Sequence, residues 1–249
     1  MHLPLVPNSQ IRPPSSASRY NLAISELTGT EASYVHALQL FCLLRHLVRE
    51  NALLDNQTLD EVFGNIDALL KFHKSFLKTA EDVSLLPEDQ QCWGPVFSAF
   101  LDVADLYVDY IGNHRVHLKA AIREHDKLSV ASWPPQVRQL VAGTEMIHHT
   151  FLRPYSRFAK YSVFLKEIHR GTQCETKRAD LESAISLHHS ILSKAGEALD
   201  TMARGQAVSD LHNRIEDWKH HNPATFGRLL LFDAFLCRPK KELEPALQV

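Results

Sequence analysis

Between Glu175 and Asn213 the chain runs without a proline through a single helical pattern, carrying Leu181, Ile185, Leu187, Ile191, Leu192, Ala195, Leu199 and Met202. Helices in compact domains usually span roughly 8–20 residues, so this one predicts a rod-like bundle rather than a compact globule. A second stripe agrees. Leu27, Tyr34, Val35, Leu38, Phe41, Leu44 and Val48 recur at three- and four-residue intervals, one apolar face of a long helix from about Ser18 to Glu50. Only 9 glycines occur in 249 residues, and long stretches rich in Leu, Ala, Glu and Lys favour helices over a glycine-punctuated α/β fold. With 45% apolar residues there is material for a real core. The expected class is all-α, an elongated helical bundle.

The remaining segments fill in that plan. Residues 1–17 read as a flexible lead-in containing Pro4, Pro7, Pro13 and Pro14. A second helix is expected from Asn56 or Thr58, with Leu59, Val62, Phe63, Ile66, Leu69, Leu70, Phe72, Phe76 and Leu77, ending before the Leu86-Pro87-Glu88 connection. A third spans about Trp93 to Asn113, and a shorter basic segment, His114 to Lys127, leads to the Trp133-Pro134-Pro135 turn. Another helix starts at Pro135 and runs to about His149. A break is expected at Arg153-Pro154, followed by a helix with Phe158, Tyr161, Phe164, Leu165 and Ile168 that Gly171 closes. The tail changes character: Phe226 to Cys237 alternates short apolar runs around Asp233, a β-hairpin-like signal. Two strands cannot bury a sheet face alone, so this piece docks on the bundle or begins a further β domain.

Composition excludes several classes. With 27 basic and 29 acidic side chains the formal charge is -2, which removes a global electrostatic case for nucleic acid. No apolar run reaches the roughly 20 residues that span a bilayer, and Met1–Gln10 lacks the features of a secretory signal. Cys42, Cys92, Cys174 and Cys237 lie far apart without paired spacing, which reads as ordinary reduced thiols in the cytoplasm. Fifteen histidines invite a metal reading, but His148/His149, His188/His189 and His220/His221 are adjacent and point apart on a helix, and no HExxH occurs. The expectation is no metal and no cofactor, with the histidines on surface and boundary positions.

Three stretches carry a resemblance. The run Ile24-Ser25-Glu26-Leu27-Thr28-Gly29-Thr30-Glu31-Ala32-Ser33-Tyr34-Val35-His36-Ala37-Leu38 resembles the first conserved region of the Dbl-homology domains. Val62 to Ile66 and Leu70 to Leu77 resemble their second helix, and Phe151 to Glu167 their third conserved region, in the family's order and spacing. The match covers about residues 18–215. These domains are exchange factors for Rho-family GTPases and are usually followed by a pleckstrin-homology domain. The resemblance therefore implies a linker and partial pleckstrin-homology-like start over 216–249, whose completion would need roughly 100 residues more.

The resemblance also assigns residues. By periodicity alone Glu26 is a solvated carboxylate favoured near a helix N-terminus, and Lys160 a lysine whose stem covers apolar neighbours while its ammonium stays wet. In the family the glutamate matching Glu26 engages switch I of the GTPase, and the lysine matching Lys160 contacts switch II. Thr30, Ser156, Arg157, Lys166 and Gly196 complete the implied GTPase-binding set, with Arg157 bracing the same surface. Glu31, Tyr34, Tyr161 and Leu165 are implied to be structural. This sequence departs from the family pattern at three places. Ser156 stands where glutamine is usual, Ser162 where proline is customary at a helix start, and Gly196 where an asparagine contacts switch II. The implied function is guanine-nucleotide exchange on a Cdc42-, Rac- or Rho-type GTPase without covalent chemistry. The alternative is a degenerate domain that binds a GTPase without accelerating exchange. Membrane recruitment, at the inner face of the plasma membrane, is expected only through neighbouring domains or the lipid anchor of the GTPase.

Overall fold

The computed structural model describes residues 16–130 and 132–215, together with 218, 219, 221, 225, 227 and 229. Every regular element among them is helical. In chain order they are α1 (Ser16–Glu50), α2 (Asn56–Phe63), α3 (Ile66–Ser84), α4 (Trp93–Ser98), a 3-10 turn (Ala99–Val103), α5 (Ala104–Gly112), α6 (His114–Arg123), α7 (His125–Val130), α8 (Pro135–Leu140), α9 (Thr144–Gly171) and α10 (Glu175–Arg214). The chain divides into two units at Asp200 and Thr201, and the core belongs to the first. In the second, the rings of His212 and Trp218 stack at 5.8 Å. The hairpin expected at Phe226–Cys237 falls outside the described residues apart from Gly227 and Leu229.

Within the first unit, α1 packs chiefly against α3 and α9. Its stripe Leu27, Tyr34, Val35, Leu38, Phe41, Leu44 and Val48 is buried along its whole length, as the periodicity predicts. From α3 come Ile66, Leu69, His73, Phe76 and Ala80, and from α9 Ile147, Phe151, Phe158, Tyr161, Leu165 and Ile168. Rings from four elements meet at the centre. Phe100 lies 5.0 Å from both Phe76 and Tyr161, and Phe158 stacks on Tyr107 at 4.1 Å. Edge and offset contacts of this kind add to the area they bury.

Several boundaries differ from the sequence reading: the helix expected over Pro135–His149 ends at Leu140 before α9 opens at Thr144, and the Trp93–Asn113 region is α4, a 3-10 turn and α5. The expected second helix is two helices, because Gly64 takes φ 54° and ends α2 before Asn65 opens α3. A side chain there would also strike the ring of His117, whose Nε2 lies 2.7 Å from the Cβ position. Elsewhere a break was expected and none occurs: Pro154 lies buried inside α9, which continues from Thr144 to Gly171. Proline removes one amide donor from the ladder. One residue on from the freed Thr150 carbonyl, the Phe151 carbonyl takes a hydrogen bond from the buried Tyr110 hydroxyl at 3.1 Å. Burial along that face of α9 holds the helix together through the defect. Ser162 consequently sits in the helix interior rather than at a start, its hydroxyl bonded to the Ala159 carbonyl at 2.9 Å.

The histidines also depart from expectation, since His73, His117 and His188 are buried. His188 donates from Nε2 to the Phe158 carbonyl at 2.8 Å, leaving Nδ1 without a partner. Burial, reinforced by His189 and opposed by that hydrogen bond, pushes its pKa down to about 4 from the usual 6.5.

Two predictions follow from this packing. Gly64→Ala combines a strained positive φ with a steric clash and should cost about 2 kcal/mol in urea unfolding; unchanged stability would contradict the strain. For His188 the unfolded chain takes up a proton near pH 6.5 while the folded chain resists until about pH 4. Its contribution is therefore complete above pH 6.5 and lost as pH falls toward 4, on the order of 3 kcal/mol. His114 and His117, also held low chiefly by burial, add to that slope. His188→Gln should flatten the profile in this window, and an unaltered slope would assign the acid sensitivity elsewhere.

Candidate functional site

The polar centre of the bundle is built on Glu31, fully buried on the core side of α1. Its Oε1 meets His73 Nδ1 at 2.7 Å. Its Oε2 accepts from Arg157 Nε at 2.9 Å, from Arg157 Nη2 at 2.6 Å and from the Tyr161 hydroxyl at 2.6 Å. An ionised carboxylate only accepts, so the His73 proton facing it sits on Nδ1, and Nε2 is left for the Tyr107 hydroxyl. Burial alone would raise the Glu31 pKa. The hydrogen bond and charge of His73, the charge of Arg157 and the bond from Tyr161 together outweigh it and hold the carboxyl below its ordinary range. Burial also drives the Tyr107 and Tyr161 phenols well above theirs, keeping both neutral.

Arg157 is taken up inside this network. Besides Glu31, its Nη1 donates to Thr30 Oγ1 at 2.8 Å and its Nη2 to the Leu27 carbonyl at 3.2 Å. The guanidinium lies 4.8 Å from the Tyr161 ring centre. Only 6% exposed, Arg157 turns its donors inward and braces the surface from beneath. Tyr34, Tyr161 and Leu165 are buried, with Tyr34 set edge-on against His73 at 4.8 Å.

Directly over this pair, α1 and α9 enclose a groove of about 340 Å³ lined by Thr30, Ser33, Tyr34, Ala37, His149, Leu152, Arg153, Ser156, Arg157 and Lys160. Thr30 and Ser156 are the immediate neighbours of Glu31 and Arg157 in sequence, and Lys160 lies one turn beyond Arg157. The ion pair therefore fixes where the groove forms. Neither Arg153 nor Lys160 has an ion-pair partner among the described residues, which leaves the α9 rim cationic. Glu26 stands exposed on α1 one turn before Thr30, whose hydroxyl bonds the Glu26 carbonyl at 2.6 Å, and its own carboxylate has no partner among the described residues. Lys166, exposed on α9, and Gly196, exposed in the interior of α10, do not line the groove. At Gly196 a Cβ would meet nothing within 4 Å, so the glycine costs about 1 kcal/mol of helix propensity without a packing return.

Sequence reasoning missed His73, Arg153 and His149. His73 was legible: it falls in the core register Leu69, His73, Phe76, Ala80 of α3, and a histidine there needs polar partners. Arg153 and His149 became neighbours of the groove only because α9 continues through Pro154.

Fold and groove thus define a helical bundle with a cation-rimmed binding surface laid over a buried ion pair. The chain belongs to the RhoGEF domain family, whose model matches residues 23–195. Among curated relatives it is 23% identical over 239 residues to cell division control protein 24 of Saccharomyces cerevisiae, covering 94% of this chain and 28% of that protein. It is 26% identical to the mouse phosphatidylinositol 3,4,5-trisphosphate-dependent Rac exchanger 1, covering 80% of this chain and 13% of that protein. The chain thus spans under a third of the length of these relatives. Among solved structures, the DH/PH domains of PDZ-RhoGEF in complex with activated RhoA superpose with a TM-score of 0.67 at 17% identity, covering 83% of this chain and 60% of that one. Those of p115-RhoGEF give 0.68 at 22%, covering 81% and 57%. These likenesses establish the shared helical fold.

The network yields a prediction. Glu31→Gln leaves the Arg157 cation buried without its counter-charge and should cost about 3–5 kcal/mol. Adding Arg157→Met should recover part of that loss by removing the stranded charge. In the parent, the Glu31 contribution is complete above the ordinary carboxylate range and disappears as pH falls below it, an acid limb that Glu31→Gln should lack. Urea unfolding across pH checks both; a single variant as stable as the parent would show the pair to be dispensable.

Proposed function

We propose that this domain accelerates GDP release from a Rho-family small GTPase, making and breaking no covalent bond. The observation that carries the reading is the convergence of Thr30 from α1 with Ser156 and Lys160 from α9, far apart in sequence, in one groove of a RhoGEF-family chain. The free carboxylate of Glu26 lies one turn away. The partner class is supported by relatives whose names describe Rac and Rho exchange factors, and by a matching fold solved with RhoA.

A small GTPase holds its nucleotide through a phosphate-binding loop, Mg²⁺ and switch segments. In this reading Glu26 engages switch I and the groove, with Lys160 at its rim, takes switch II, in a geometry that the nucleotide-bound partner does not favour. Tighter binding of the nucleotide-free state lowers nucleotide affinity by the same factor, as linkage requires. GDP leaves, and the incoming nucleotide displaces the exchanger. Residues 18–215 are the working part of this scheme, with Lys166 and Gly196 at its periphery. Residues 216–249 are its linker and the beginning of a pleckstrin-homology-like piece. Peripheral membrane association belongs to neighbouring domains or the GTPase lipid anchor.

Release of fluorescent GDP from Cdc42-, Rac- and Rho-type GTPases tests this. The chain should accelerate at least one, and Glu26→Ala should slow that release by about 100-fold if the contact is worth about 2.7 kcal/mol in the exchange transition state. Clear binding to a nucleotide-free GTPase without acceleration would instead favour a binding module weakened at Ser156 and Gly196. A chain that neither accelerates release nor binds a nucleotide-free GTPase would overturn the proposal.

A further inference from the structure

Most glycines of the first unit have an internal reason to be glycine. A Cβ at Gly64, Gly94, Gly112 or Gly171 would come within 3 Å of His117, Asp180, Ala198 or Tyr20. At Gly143, on extended backbone before α9, a Cβ would meet nothing, but no helix propensity is lost there. Gly29 differs. It sits in the interior of α1 with helical backbone that alanine adopts without strain, and a Cβ there would meet nothing within 4 Å. Helix-interior glycine loses stability through backbone entropy and exposed peptide, and no contact inside the molecule returns it.

The position explains what the fold does not. Leu22, Glu26, Gly29 and Ser33 follow one another at spacings of four, three and four, which places them along one face of α1. All four are exposed, Leu22 by 62% although it is a large aliphatic side chain. Ser33 lines the groove, and the Glu26 carboxylate stands without a partner. The bare backbone of Gly29 therefore lies between a free carboxylate and the edge of the groove.

We propose that Gly29 is a close-approach position, where the main chain of a GTPase switch segment comes against the backbone of α1 and a side chain would hold it off. This inference rests on the reading that the domain binds a Rho-family GTPase, and it adds which residue sets how near the partner comes to Glu26. Small residues at helix surfaces permit such backbone approach, and a Cβ added there removes it. Gly29 acts as a positioning residue, through its absence of side chain.

The test sets stability and binding against each other in the full chain. Gly29→Ala gains helix propensity and should raise the melting temperature by about 2–4 °C, while weakening binding to nucleotide-free GTPase about threefold. Gly29→Gln should weaken it about tenfold or more, and Ala32→Gln, which adds the same side chain to the same helix off the Leu22–Ser33 face, should stay within about twofold. Higher stability with unchanged affinity in Gly29→Ala, together with parental affinity in Gly29→Gln, would overturn the proposal and make Gly29 an unused propensity defect. If the unaltered chain binds no Cdc42-, Rac- or Rho-type GTPase, the functional reading falls first and this one with it.

Discussion

Everything in the first unit is registered on the buried ion pair between Glu31 and Arg157. Removing two charges from water is expensive, several kcal/mol for each ion even after relaxation, and the structure offsets that cost by saturation. The carboxylate accepts from His73, Arg157 and Tyr161, and the guanidinium is shared among Glu31, Thr30 and the Leu27 carbonyl. Through His73 and Tyr107 the network reaches α3 and α5, so four helices are tied by one set of directional contacts. Apolar stripes alone would let α1 slide against α9 by a turn at modest cost. A pair that is satisfied in one register and stranded in any other does not permit it.

That registration has a consequence at the surface. Thr30 and Ser156 are sequence neighbours of the paired residues and Lys160 is one turn from Arg157, so whatever fixes the pair fixes the groove. The floor is electrically closed, because the Arg157 charge is matched by Glu31 beneath it. The rim is not: among the described residues Arg153 and Lys160 on α9 have no ion-pair partner, and neither has the exposed Glu26 carboxylate on α1. A surface with cations on one helix and an anion on the other orients a partner of complementary pattern even on a chain whose net charge is only -2.

How far the sequence revealed this depends on whether local or tertiary physics decides. The stripes of α1 and the extent of α10 were legible, because an amphipathic period is local information and the sum over many residues is robust. Gly64 was not read as a break, since α2 and α3 keep compatible apolar spacing across it and the approach of His117, which leaves no room for a Cβ there, is a tertiary contact. Pro154 was over-read. Its local rule is sound, but the burial of α9 against α1 and α6 outweighs one missing hydrogen bond. The depth of Arg157 was not legible, because a sequence shows that a cation stands beside an apolar run and not which way its donors point. The histidines misled for the same reason: His73 and His188 fill core positions on α3 and α10, which composition alone cannot distinguish from surface ones.

The departures at Ser156 and Gly196 bear on affinity and on exchange in different ways. Gly196 offers a partner no side-chain atom, and Ser156 offers one hydroxyl where an amide is usual in the family. A contact made equally to the nucleotide-bound and nucleotide-free GTPase strengthens both complexes and leaves the exchange equilibrium where it was. Only contacts that differ between the two states do work against the nucleotide. Side chains lost from α10 and from the α9 flank of the groove reduce total binding, and their effect on exchange is limited to whatever differential part they carried. If the surface takes a GTPase switch as proposed, the groups best placed to sense its movement are charged and have no ion-pair partner among the described residues: Glu26 at one end and Lys160 at the other. Charge interactions change steeply with distance in a partly desolvated groove, so a small displacement of the partner alters them more than it alters a serine or a bare helix backbone. On the proposed reading, the neutral positions therefore contribute mainly to residence time, and the two charges to orientation and to discrimination between nucleotide states.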